Sequence, residues 1–281
     1  HRYIIGLYEV LDRVFTPRRH ILFESCSSGG NRFDLGMLCY SPQIWASDDT
    51  DPIERLDIQS GLSYLYPQST VGAHVSAAPH QQTLRDTPLS TRFNVAAFGV
   101  LGYELELKYM THAELKELRG QIEFYKAHRR TLQFGRFYRF DERKDNKVHW
   151  QVSSRDGKEH IVGHFQKLCT ASEGPDALCV HDLDSKAKYH LSCKRQSLFI
   201  KRLGGLVKHV MPVEFDPDGL ILRTANKFFT MPDGEEDFTA SGAALMSGVG
   251  LNNQFLGTGY NNKIHMFGDF GSAVYTIERK P

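Results

Sequence analysis

Four short, largely apolar runs stand in the first hundred residues, polar clusters follow directly after Phe23 and Trp45, and helix-start signals stand among the runs. The runs are Ile21–Phe23, Gln43–Trp45, Gly72–Ser76 and Val95–Gly99. After the second, Asp51 stands as an N-cap, Pro52 takes the first helical position and Glu54 follows three residues after the cap. Thr111 and Glu114 form a second capping box, which opens a helix with Leu115, Leu118, Ile122 and Tyr125 on its apolar face and an end near Arg130. Short strands that lead through loops into helices imply parallel βα units, whose chemistry gathers at the C-terminal ends of the strands.

From Phe134 onward the texture changes. Trp150–Val152, His160–Phe165, Lys188–Ser192, Leu220–Leu222 and Ala273–Ile277 are short, partly alternating runs, separated by turn formers such as Arg155–Gly157 and Asp216–Gly219. No long helical period intervenes, so this part reads as an antiparallel β-sandwich. At about 150 residues per domain the chain has room for roughly two domains. The expected fold class is therefore α/β plus all-β. Residues 1–131 are expected to form the C-terminal half of a (β/α)8 barrel, because four strands cannot close an eight-stranded one; residues 132–281 are expected to form the β-sandwich domain. The chain has no initiator Met and opens almost inside an amphipathic helix, with Ile4, Leu7, Tyr8, Leu11 and Val14 at helical spacing. It is expected to be the downstream part of a longer protein.

Lys plus Arg number 34 against 33 Asp plus Glu, a formal net charge of +1 without a basic run. Neither a nucleic acid nor an anionic membrane surface is expected as a partner. No apolar stretch is long enough to cross a bilayer. Five cysteines, an odd number with no CxxC spacing, favour a reducing cytoplasm over a secreted disulfide framework. Thirteen histidines give neither HxH nor HExxH, and His160 and His164 share a strand face without a Cys or carboxylate set at ligand spacing. No metal and no cofactor is expected. Gly248, Gly250, Gly257 and Gly259 lack the strand-to-helix setting of a nucleotide fingerprint and read as turns.

Asp48, Asp49 and Asp51 put three carboxylates in four residues at a strand end. Such groups repel one another and must be paired or shifted in pKa. Asp51 has a structural explanation as the helix cap, whereas Asp49 is open between solvent and site. Asp48 directly follows a strand that carries Trp45, and a carboxylate beside an indole face suits a sugar. Cys26–Gly30 has no GxSxG pattern and no assignable His or Asp partner, so it reads as a strand-end loop whose glycines let backbone approach a ligand. Glu24 remains open between direct ligand contact and a supporting role.

The segment Glu24-Ser-Cys-Ser-Ser-Gly-Gly-Asn-Arg-Phe-Asp34 together with Trp45-Ala-Ser-Asp-Asp-Thr-Asp-Pro-Ile-Glu-Arg55 resembles bacterial α-galactosidases of glycoside hydrolase family 36. The likeness continues through Gly72-Ala-His-Val-Ser76, Pro88-Leu-Ser-Thr-Arg92 and Gly102-Tyr-Glu-Leu105, and returns at Gly257-Thr-Gly-Tyr-Asn261 and Asp269-Phe-Gly-Ser272. It implies a retaining enzyme acting on terminal α-galactosides such as melibiose and raffinose, homo-oligomeric at full length. By position in the motif, Asp48 matches the family's general acid/base. Cys26 and Gly29 match residues lining the galactose pocket near its 2-hydroxyl, and Trp45 is expected to support the same wall.

The chain departs from the family pattern in two places. Where members usually read Pro-Asn-His-Gln-Thr-Gly-Arg, it has Pro79-His80-Gln81-Gln82-Thr83-Leu84-Arg85, and Phe93 stands where Gly is usual. The family's nucleophile is an Asp in a Lys-Trp-Asp segment. No such segment occurs in this sequence, so the nucleophile is expected upstream of His1 and the chain alone is expected to be inactive. An α-N-acetylgalactosaminidase, a galactosyl-transferring member of the family, or a non-catalytic carbohydrate-binding fragment are the alternatives.

Overall fold

The structure is a computed structural model and describes residues 1–140, 146–170, 177–200, 216, 219–225, 227–251 and 268–281. The α/β part runs α1 (Arg2–Phe15), β1 (Glu24–Ser25), the single turn α2 (Ser27–Gly30), β2 (Gln43–Ile44), α3 (Pro52–Leu62), β3 (Gly72–Ser76), α4 (Leu89–Ala96), β4 (Val100–Glu104) and α5 (His112–Phe134). β1 pairs with β2 and β3 with β4, both in parallel, and a parallel bridge between Ile44 and Val71 joins the two pairs. Four strands thus lie side by side in chain order, with all their C-terminal ends at one rim.

Local chemistry accounts for the helix starts. The Asp51 side chain accepts from Ile53 N at 2.9 Å, with Pro52 at the first helical position. Thr111 and Glu114 close a complete capping box. The first expected strand is displaced: Leu22 is 86% exposed, and pairing begins only at Glu24. Its partner strand begins at Gln43, which leaves Ile21–Phe23 without a ladder, and Phe23 stacks on Phe15 instead. The expected strand Val95–Gly99 is the end of α4 and the turn after it, and the fourth strand begins at Val100. Seven of the eight α4 residues are buried. The buried residues include Ser90, Thr91 and Asn94, so no apolar stripe marks the helix, and the apolar run from its end into the following turn cannot be told from a buried strand by periodicity. α5 also runs past Arg130 to Phe134 and turns Ala113, Gln121, Tyr125 and Leu132 inward, leaving Leu115 exposed.

The second part holds β5 (Arg136–Phe140), β6 (Lys147–Ser153), β7 (Glu159–Gln166), β8 (Ala177–Leu178), β9 (Lys188–Cys193), β10 (Gln196–Leu198), β11 (Met231–Asp233), β12 (Asp237–Ser241), β13 (Val249–Gly250) and β14 (Ser272–Arg279). Six of these form one antiparallel sheet in the order β12-β9-β14-β7-β6-β5. One face, with Trp150, Val152, Ile161, Phe165 and Val274, packs on Phe93, Phe98 and Leu132 of the α/β part. The other, with Val162, Tyr189, Leu191, Tyr275 and Ile277, packs on Leu178, Val180, Leu183, Leu245 and Leu251. Each large side chain so buried contributes roughly 1.5–3 kcal/mol. Among the described residues, the layer on this second face consists of the β8–β13 pair, the short helix Gly242–Ser247 and connecting chain rather than a second large sheet. Leu220–Leu222, expected as a strand, lies in the short helix Leu220–Ala225. Gly248, expected in a turn, caps the helix before β13 with φ +96°, while Gly250 pairs within β13; Gly257 and Gly259 lie outside the described residues.

Candidate active site

The site is built where β1 and β2 end together. Trp45 N donates to Ser25 O at 2.8 Å, and beyond that bond both chains leave the sheet. Ser27, Ser28, Gly29 and Gly30 then take positive φ in succession. For the two serines this left-handed backbone costs about 1–2 kcal/mol each. The glycines answer a close approach as well: a Cβ on Gly30 would lie 2.7 Å from Ala46 O, and one on Gly29 would lie 3.2 Å from Asp48 N and 3.7 Å from its Cγ. The turn that starts at Cys26, a partly exposed free thiol, is thereby laid directly against Asp48.

The structure separates the three carboxylates. Asp51 is fully buried, and besides capping α3 it accepts from the Thr83 hydroxyl and from Arg85 Nη1 at 2.6 Å. Asp49 turns inward, where its Oδ1 accepts from Asp51 N at 2.9 Å and lies 3.9 Å from His80 Nδ1. Asp48 alone is exposed, with its Oδ1 accepting from Trp45 Nε1 at 3.0 Å. Of the three, Asp48 is the one left facing outward, while the other two are committed to the loop.

Trp45 is itself held. The Arg55 guanidinium lies 4.7 Å from its ring centre and the His74 ring 4.3 Å away. Arg55 is buried and donates to Asp49 O and Ser47 O, each at 2.7 Å, and to Gly72 O at 3.2 Å. Burial pulls its pKa down to about 10, against the upward pull of Asp49, Glu104 and Asp48, so it stays charged at neutral pH. His74 fits because Gly102 on β4 has no side chain: a Cβ there would stand 2.4 Å from His74 Cδ2. Glu104 Oε2 lies 3.6 Å from His74 Nδ1. Glu24, left open by its sequence, is an exposed residue whose carboxylate accepts from Gln43 Nε2.

The structure thus brings Gly29, Trp45 and Asp48 into one contact group, with Cys26 opening the turn that carries Gly29. Arg55, His74 and Glu104 received no individual role from the sequence. Their one signal was position: Arg55 lies on the first turn of the helix after the acidic cluster, and His74 and Glu104 lie on neighbouring parallel strands. Among the described residues no group of three or more His, Cys, Asp or Glu could hold a metal ion, and no helix is long and apolar enough to cross a membrane.

A family model described as Melibiase matches residues 1–135, and one described as the glycosyl hydrolase family 36 C-terminal domain matches residues 147–277. The chain belongs to glycoside hydrolase family 36. Among family 36 relatives, alpha-galactosidase AgaA of Geobacillus stearothermophilus is 46% identical over 192 residues, which are 68% of this chain and 26% of that protein. Alpha-galactosidase 1 of Pediococcus pentosaceus is 52% identical over 190 residues, 67% of this chain and 26% of that protein. The chain therefore spans about a quarter of the length of these relatives. A crystal structure of an AgaA variant in complex with raffinose matches with a TM-score of 0.76 at 35% identity, covering 100% of this chain and 32% of that one. The alpha-galactosidase of Lactobacillus brevis matches with a TM-score of 0.77 at 36% identity, also covering 100% and 32%.

Proposed function

We propose that this chain carries the general acid/base of a retaining α-galactosidase that cleaves terminal α-galactosides of the raffinose and melibiose type. The observation that carries the reading is the division of labour in residues 48–51: Asp49 and Asp51 are spent on structure, and Asp48 faces outward on an indole N–H. A retaining glycosidase needs two carboxyl groups about 5–5.5 Å apart, one as nucleophile and one as acid, then base. With Oδ1 on Trp45, Oδ2 of Asp48 carries the proton to the leaving oxygen and afterwards takes one from water. The nucleophile comes from a part of the full-length protein outside this chain. Gly29 lets the sugar come close, and Cys26 faces the region of its 2-hydroxyl.

The four parallel strands are read as half of a (β/α)8 barrel, with the division at residue 131 in the last turn of α5 and the β-domain after it. Tyr3, Ile5, Val10 and Leu22 are 54–86% exposed, as expected of surfaces that the other half would cover. A cytoplasmic, homo-oligomeric full-length enzyme is part of the same proposal. The test is turnover of p-nitrophenyl α-galactoside and of its 2-acetamido analogue. The full-length protein should cleave the first and spare the second, and the 281-residue chain alone should cleave neither. Turnover by the chain above a vector control would mean that the nucleophile is misplaced; preference for the acetamido sugar would change the substrate.

A further inference from the structure

Phe270 has an unusual backbone for a bulky residue: φ is +64°, in the left-handed region that favours glycine. It lies in the Asp269-Phe-Gly-Ser272 segment just before β14, which the acid/base reading leaves without a role. Three contacts hold it there. Its N–H donates to Lys167 O at 3.1 Å, its carbonyl accepts from the Thr91 hydroxyl on α4 at 2.7 Å, and its ring packs against the shared core. Ser272, two residues on, meets Thr91 at 2.8 Å and accepts from Asn94 Nδ2 at 2.9 Å. Strain of this kind persists only where its surroundings over-determine it, and its position is a pointer to function.

The ring faces Arg85, whose Cζ lies 5.4 Å from the ring centre. Arg85 Nη1 donates to Asp51 Oδ2 at 2.6 Å, and both its terminal nitrogens reach Glu54 Oε1 at 3.1 Å. Asp51 is fully buried, fixes the first turn of α3 through Ile53 N, and is three residues from Asp48. An aromatic face over a guanidinium attracts the cation and keeps water from it, and drier surroundings strengthen the ion pair beneath. We propose that Phe270 is a positioning residue for Asp48. From the β-domain it covers the Arg85–Asp51 ion pair and so fixes the loop that presents the acid/base, which makes the β-domain part of the catalytic apparatus. This rests on the acid/base reading of Asp48.

The test uses the full-length protein and the variant Phe270→Gly, which removes the ring and the backbone strain together and so does not depend on a strained fold. Hydrogen exchange at the Ile53 and Arg55 amides should quicken about tenfold while β6 and β7 stay protected. Turnover of raffinose should fall roughly 10- to 100-fold in kcat with little change in KM. Phe270→Tyr, which keeps the aromatic face, should restore both. Unchanged exchange at Ile53 and Arg55, a uniform rise that includes β6 and β7, or an equal loss in Phe270→Tyr overturns the proposal. A wild-type protein that cleaves no α-galactoside overturns the functional reading instead, and exchange at Ile53 and Arg55 then still decides whether Phe270 holds the loop.

Discussion

The strand-end turns and the central sheet obtain their order in opposite ways. In β7 every residue from His160 to Gln166 is buried, as is β14 from Ser272 to Ile277, between two apolar cores. In the turn Ser27–Gly30 no residue is buried and all four have positive φ. The neighbouring loop is held by polar groups: Arg55 on three carbonyls, and Asp51 on Arg85, Thr83 and the start of α3. The sheet supplies stability by packing, and the turns give some of it up to bring Gly29 against Asp48. Asp48 is therefore placed by left-handed turns and polar contacts while the sheet is held by apolar packing, and the two should respond to different kinds of substitution.

The largest effect belongs to the sheet. Trp150 is fully buried between Phe98, Phe137 and Phe165 and donates from Nε1 to Ser60 Oγ at 3.0 Å. Trp150→Ala should cost about 3–5 kcal/mol in urea unfolding. A loss below about 0.5 kcal/mol, the level of an ordinary surface change, would break the contrast from the sheet's side. Next comes the polar scaffold of the loop. Asp51→Ala removes a helix cap and the buried partner of Arg85, and should cost about 3 kcal/mol. That would be a large loss with almost no apolar area involved.

A smaller effect is read by pH. Burial pushes the Glu159 pKa up, but hydrogen bonds from His128 and Thr131 outweigh it and leave the carboxyl below its ordinary value. A lowered folded-state pKa adds stability above the unfolded value, near 4.3, and that stability is lost as pH falls through the folded value. Glu159→Gln should remove roughly 1 kcal/mol at neutral pH and flatten the acid side of the stability curve; an unchanged acid limb would show that this pair contributes nothing. The smallest effect has the opposite sign. Leu84 has φ +57° and is 78% exposed, where the family usually has glycine, and Ser28 has φ +58°. Leu84→Gly and Ser28→Gly should each stabilise by roughly 0.5–1 kcal/mol, relief of left-handed strain exceeding glycine's entropy cost. Destabilisation by either would mean that the turns hold no strain to release.

The same contrast explains what the sequence made legible. Caps are local chemistry, so Asp51 with Pro52 and Thr111 with Glu114 were readable at once. β3 was readable to the residue as the short run Gly72–Ser76. Val95–Gly99 was not, because α4 is buried on nearly all sides and its period is hidden. Asp48 and Trp45 were marked by a carboxylate and an indole at a strand end. Arg55 and His74 act through distant partners, on Gly72 O and against Trp45, and no short spacing reports such contacts. Phe270 reaches Arg85 from 185 residues further along the chain, which only the folded structure brings into view.

The central claim is that Asp48 is the acid and then the base, and one substitution tests it in the full-length protein. A general acid matters most for a poor leaving group, so Asp48→Ala should slow raffinose cleavage roughly 10²- to 10⁴-fold and an activated aryl galactoside far less. The covalent intermediate, left without a base, should accumulate with the aryl substrate and be captured by azide as a galactosyl azide of retained configuration. Equal, modest losses on both substrates with no azide adduct would contradict the account and move the role to another carboxylate.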